Sequence, residues 1–118
     1  MGRVSSEETG VKCMDLSRGH LAVGDMAGNI RVYSLDDVEI RQVNFIEAHE
    51  AKVVALKYSQ GHSPHLLASA SADRMIHVFN AEADEYELIQ TIDAHGTSIV
   101  DLQFAFVVVG VQNKHKVT

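Results

Sequence analysis

The 118-residue chain carries 10 Lys and Arg against 16 Asp and Glu, for a formal net charge of −6, and 46% of it is hydrophobic. That is enough apolar material for a core of its own and is far from the composition of a disordered tail. The negative balance argues against a nucleic-acid-binding surface and against docking on anionic membranes, since both need clustered positive charge.

In chain order, residues 1–10 (MGRVSSEETG) read as an acidic arm with no apolar run, so no secretory leader is expected. Gly2 with Ser6 fits a myristoylation pattern loosely, a match that short patterns often give by chance. The acidic residues after Ser5 and Ser6 would suit phosphorylation, although a floppy terminus is the simpler reading. Strands are predicted at 11–16, 20–24, 29–34 and 40–46, then at 52–58, 66–71, 75–80 and 86–92. The segments NIRVY (29–33) and MIHVF (75–79) alternate apolar and polar residues, as half-buried strands do. Two stretches, 35–49 and 81–95, could by themselves also mark a helical face.

An internal repeat resolves that ambiguity. DLSRG (15–19) matches KYSQG (57–61) at an offset of 42. HLAVGDMAGNIRVYS (20–34) matches LLASASADRMIHVFN (66–80) at an offset of 46, and EAHEAKV (47–53) matches DAHGTSI (93–99) at the same 46. The difference is an insertion in the Gly/Ser/Pro loop GHSPHL (61–66), where a repeat tolerates one. A period of roughly 40–45 residues with several short strands per copy is the mark of propeller blades. Both ambiguous stretches then occupy the same slot, an outer strand and its lead-in. The expected fold is all-β: one blade over 11–51, a second over 52–97, and the opening of a third, with its first strand near 98–104, in an atypical 98–118 tail.

These residues resemble the WD-repeat β-propeller family. Ala-His at 48–49 and 94–95 stands where that family has Gly-His, and Phe79-Asn80 and Tyr33-Ser34 stand where it has Trp-Asp; the chain has no tryptophan. The second copy fits best, with His49, Ser71, Asp73 and Phe79 at the family's spacing. The resemblance implies a structural hydrogen-bond set: Asp73 accepts the His49 ring N–H, Ser71 bonds the other ring nitrogen, and Phe79 packs without the usual indole N–H. In the first copy Ala27 replaces the Asp and Tyr33 the Trp, so that blade must rest on packing, with Asp25 a partial substitute at most. GDMAGNIRVYSL (24–35) and IQTIDAHGTSIVDLQFA (89–105) look closer to the scaffold proteins of the mitogen-activated protein kinase-binding protein 1 type and their spindle-pole relatives. This implies a cytoplasmic protein-binding scaffold serving kinase signalling or the spindle pole, with other proteins as partners, no cofactor, and no catalytic or metal site. The blade-top residues Asp25, Glu50, Lys52 and Arg74 are the candidate partner contacts.

Two or three blades cannot close a ring, and an open array leaves sheet edges unpaired. The apolar run FAFVVVGV (104–111) would then be an aggregation risk, and it is too short to span a bilayer. A truncated or excised piece of a larger propeller, or assembly of several chains, is the expectation.

Other chemistry is weaker. The chain has seven histidines but one cysteine, Cys13, so an intrachain disulfide is excluded and a reducing compartment suits it. A closed zinc site at HSPH (62–65) would need distant ligands, and a solvated loop is expected there. His77 is expected to face outward as a surface or interface histidine, and Cys13 to be small and buried on an inner strand. Ser71, His49 and Asp73 lack oxyanion donors and read as a structural set rather than a nucleophilic triad.

Overall fold

The computed structural model describes residues 11–36, 38–59 and 65–94. Eight strands make two antiparallel four-stranded sheets, each meandering in sequence order. The first holds β1 (Val11–Ser17), β2 (His20–Asp25), β3 (Asn29–Leu35) and β4 (Ile40–Glu47). The second holds β5 (Val53–Tyr58), β6 (Leu66–Ser71), β7 (Met75–Asn80) and β8 (Glu87–Asp93). Both ambiguous stretches form outer strands, β4 and β8, and no described residue is helical. The arm 1–10, the third-copy strand near 98–104 and the tail to 118 lie outside the described residues.

Turn chemistry explains the meander. Arg18 and Gly19 both have positive φ (51° and 78°), the two-residue turn whose twist matches a β-hairpin. Asp36 closes the β3–β4 turn by accepting the Val38 and Glu39 N–H groups, both at 2.8 Å. Those N–H groups hold its carboxyl below the usual aspartate value. The β2–β3 and β6–β7 turns match: Gly28 (φ 94°) and Arg74 (φ 69°) sit at repeat-equivalent positions in left-handed conformation. In both sheets the pairing of the third strand with the fourth shifts register at one place, between Val32 and Tyr33 and between Val78 and Phe79.

The core lies between the sheets. Strand pairing puts Cys13, Ala22, Gly24, Ile30 and Val32 on one face of the first sheet. They pack on Val53, Leu56, Tyr58, Leu67 and Phe79 of the second. Cys13 is only partly buried, and its thiol reaches the Val53 carbonyl at 3.6 Å. Gly24 allows the close approach, because a Cβ there would meet Val53 at 2.7 Å. On its other face the second sheet gathers a separate cluster of Leu66, Ala68, Ala70, Ile76, Val78 and Ala94. The other face of the first sheet carries Met14, Leu16, Leu21, Val23, Tyr33 and Phe45. Met14 is 56%, Leu16 57% and Phe45 42% exposed. An apolar sheet face this open is what a further packed layer would cover.

Candidate functional site

The site centres on the link between the sheets. After β4 the chain passes through Ala48 and His49 to reach β5, and this passage is pinned to both neighbouring turns. The His49 N–H donates to the Gly28 carbonyl of the first sheet at 3.0 Å, and the Ala72 N–H of the second donates to the Lys52 carbonyl at 3.0 Å. The His49 side chain turns into the second sheet. Its Nδ1 lies 3.1 Å from the Asp73 carboxylate, and its Nε2 lies 2.8 Å from Ser69 Oγ. A carboxylate only accepts, so Nδ1–H donates to Asp73 and Nε2 accepts from the Ser69 hydroxyl. Asp73 also accepts the Glu50 N–H at 3.0 Å and the Met75 N–H at 2.9 Å. One carboxylate thereby ties loop, turn and ring together.

Burial, with a smaller contribution from His77, pushes the His49 ring below the ordinary histidine value and outweighs the opposing pull of Asp73. The pair is therefore a neutral imidazole hydrogen-bonded to a carboxylate. For Asp73, burial works to raise the carboxyl, but the Glu50 and Met75 N–H groups and the His49 ring prevail and hold it below the ordinary value.

Ser71, predicted to bond the second ring nitrogen, does something else. It donates to the Ala51 carbonyl at 3.0 Å and accepts the Asp73 N–H at 3.0 Å, organising the turn. Ser69 takes the ring because it sits one pleat deeper on the same strand face, directly opposite His77 in the ladder. His77 is half-buried: its ring stacks on His49 with centroids 4.4 Å apart and bonds Thr91 at 3.0 Å. Phe79 is buried and meets His77 edge-on at 6.1 Å.

The first sheet holds its turn differently. Asp25, at the repeat position of Ser71, is 2% exposed and accepts the Ala27 and Asn29 N–H groups, both at 2.9 Å. Arg31, at the repeat position of His77, donates to the other Asp25 oxygen at 2.8 Å and lies over the Phe45 ring at 4.8 Å. This blade rests on an ion pair between the buried Asp25 carboxylate and a half-buried Arg31 as well as on packing, and Asp25 is spent inside it and cannot greet a partner. Arg31→Met is expected to cost about 1–3 kcal/mol, because it strands the Asp25 carboxylate without its cation. Chemical denaturation measures this; a loss below about 0.5 kcal/mol would show that the ion pair is dispensable.

Of the remaining blade-top candidates, Glu50 and Arg74 are exposed and Lys52 is partly so. His65, expected on a solvated loop, is buried instead. Its ring stacks on Tyr58 at 5.0 Å and bonds Ser17 and the Ala81 carbonyl. Among the described residues no three His, Cys, Asp or Glu side chains come together as a metal cage. No helix among them is long and apolar enough to cross a membrane.

No protein-family model matches the chain. The chain is 44% identical over 101 residues to WD repeat-containing protein 62 of Mus musculus, covering 83% of this chain and 6% of that protein. It is 37% identical over 107 residues to mitogen-activated protein kinase-binding protein 1 of Mus musculus, covering 88% and 7% respectively. The Homo sapiens counterpart of the latter is 42% identical over 94 residues, 79% of this chain and 6% of that protein. The chain thus spans under a tenth of the length of these relatives. Among solved structures, the computationally designed Ika8 protein superposes with a TM-score of 0.42 at 15% identity, over 76% of this chain and 38% of that one, too loosely to carry an argument. Two Asp-turned four-stranded blades and 37–44% identity sustained over most of the chain place it in the WD-repeat family, as a segment similar to WD repeat-containing protein 62 and mitogen-activated protein kinase-binding protein 1.

Proposed function

We propose that the chain is a non-enzymatic protein-binding segment of a WD-repeat scaffold. The observation that carries this reading is the blade-top surface. Glu50 and Arg74 project into solvent from a loop and a turn that the Asp73 carboxylate holds fixed. Charged side chains on pre-set backbone bind at low ordering cost. The uncovered apolar face of the first sheet supports the same reading. It is repeat-equivalent to the face by which the second sheet packs on the first, so it suits a further blade.

The finer reading is a cytoplasmic scaffold in kinase signalling or at the spindle pole. The name mitogen-activated protein kinase-binding protein 1, carried by two of the relatives, supports the kinase branch. The acidic balance favours a basic or mixed-charge peptide as the bound element.

A fluorescent Lys/Arg-rich peptide titrated into the chain tests the reading. Glu50→Lys is expected to weaken binding roughly two- to fivefold at low salt, with folding unaffected, as a single exposed pair allows. Binding that Glu50→Lys leaves unchanged, or no saturable binding at all, would sink the blade-top assignment.

A further inference from the structure

At the opposite end of the sheets from Asp73, a chain of four polar side chains crosses between the blades. Tyr58 of β5 is fully buried, and its hydroxyl lies 2.7 Å from that of Tyr86, which is 4% exposed. The Tyr86 hydroxyl lies 2.8 Å from Nδ1 of His20, at the start of β2. His20 Nε2 lies 3.3 Å from the Asp84 carboxylate. The β7–β8 loop that carries Asp84 and Tyr86 is also hung on the first blade by Asn44, whose side-chain amide donates to the Asp84 carbonyl at 2.6 Å.

The chemistry of the acceptors fixes the direction of every bond. Asp84 only accepts, so Nε2 of His20 carries the proton. In the neutral ring Nδ1 is then bare and accepts from the Tyr86 hydroxyl. The Tyr86 oxygen in turn accepts from Tyr58. Each proton has one destination, and the chain is fully satisfied in this direction alone. No buried side-chain nitrogen or oxygen lacks a partner among the described residues.

We propose that the Tyr58–Tyr86–His20–Asp84 chain is a proton-sensitive latch that holds the β7–β8 loop against the first blade. A second proton on His20 makes Nδ1 a donor. The Tyr86 oxygen then accepts from His20, and three protons meet two contacts, so one tyrosine proton, on Tyr58 or on Tyr86, is left without an acceptor among the described residues. An orphaned buried hydroxyl costs more than the gain from a charged His20 facing Asp84, whose side chain is 61% exposed and screened. The other charged groups around the chain leave this logic intact. From β1, Asp15 is occupied by the Tyr58 backbone N–H at 2.7 Å, and Arg18 lies nearby at the hairpin turn. From the second blade, His65 stacks on Tyr58 with both ring nitrogens bonded, and Glu82 accepts the His65 backbone N–H. Glu85 is exposed on the loop. Burial raises the Tyr86 hydroxyl to about 12 against the opposing effect of the bond from Tyr58, so it stays protonated well past neutrality.

Two measurements on the full chain test the latch. Nitrogen-15 spectra of histidine-labelled protein near neutral pH should show His20 protonated at Nε2 and bare at Nδ1; the opposite tautomer overturns the proposal. Amide exchange of the β7–β8 loop should quicken on going from about pH 8 to about pH 5, beyond the intrinsic change of exchange rate with pH. Tyr86→Phe keeps the ring but removes the relay, and His20→Gln removes the titrating group. Both variants should lose the acid-specific acceleration. If either keeps the full wild-type acceleration, the latch is refuted.

Discussion

Gly28→Ala should lower the unfolding free energy by about 3 kcal/mol or more, a drop in melting temperature on the order of 10 °C. Two costs coincide at this position. Its φ of +94° lies where an L side chain is strained, and space is absent. A Cβ would sit 2.8 Å from the Ala51 carbonyl oxygen and closer still to that of His49, which is backbone on the loop joining the blades. That loop cannot step aside, because the His49 N–H is bonded to the Gly28 carbonyl and the His49 ring is held by Asp73 and Ser69. The strain should therefore spread from the first blade into the second. Arg74 has the same left-handed turn position in the second sheet, so positive φ by itself is tolerated in this repeat. It is the close approach that makes Gly28 necessary. Urea denaturation of Gly28→Ala reads the effect; a loss below about 1 kcal/mol would mean that the inter-blade loop gives way.

The strand pattern was legible because two signals agreed. Alternation marked β3 and β7, and the repeat carried those assignments onto β4 and β8, whose own composition was ambiguous. The eight strands predicted between residues 11 and 92 are all present, with ends shifted by one residue at most. The His49–Asp73 contact was also accessible, since a family likeness put an acceptor opposite a ring. The choice of Ser71 over Ser69 was not accessible to spacing. The two are two residues apart on one strand and share a face, so only the depth of the ring in the sheet separates them. Asp25 misled for a similar reason. Placed near a turn it reads as a surface acid, but the side chain folds under the turn and is buried by Arg31, a residue six positions away whose role depends on strand pairing.

The Tyr58–Tyr86–His20 chain left no local trace at all. Its members are up to 66 residues apart and meet only because the blades pack at one angle. His65 shows the same limit: a histidine in a Gly/Ser/Pro-rich stretch reads as solvated, yet a flat ring was needed to cover Tyr58. Polar residues that close a seam between repeats obey no repeat periodicity, since each partner belongs to a different copy.

At neutral pH, Asp73→Ala is expected to cost about 2–4 kcal/mol, because the carboxylate serves the His49 ring and two backbone N–H groups at once. His49→Gln should cost about 1–3 kcal/mol, and the double variant less than the two losses added, since they share one network. The pH dependence separates the two groups. His49 is held below its reference value of 6.5, so the folded state resists the proton that the unfolded chain takes up. Its contribution is complete above about 6.5 and is lost as pH falls from there through the folded value. Asp73 is also held low, but against a reference of 3.8, so its contribution persists until the solution is acidic enough to protonate it, below about 3.8. His65, lowered mainly by burial, adds a loss of the same sign in the upper window. Only the difference between wild type and His49→Gln therefore isolates His49. Stability of wild type should fall faster than that of His49→Gln between about pH 6.5 and 5, and parallel curves across that window would show that folding does not lower the His49 ring at all.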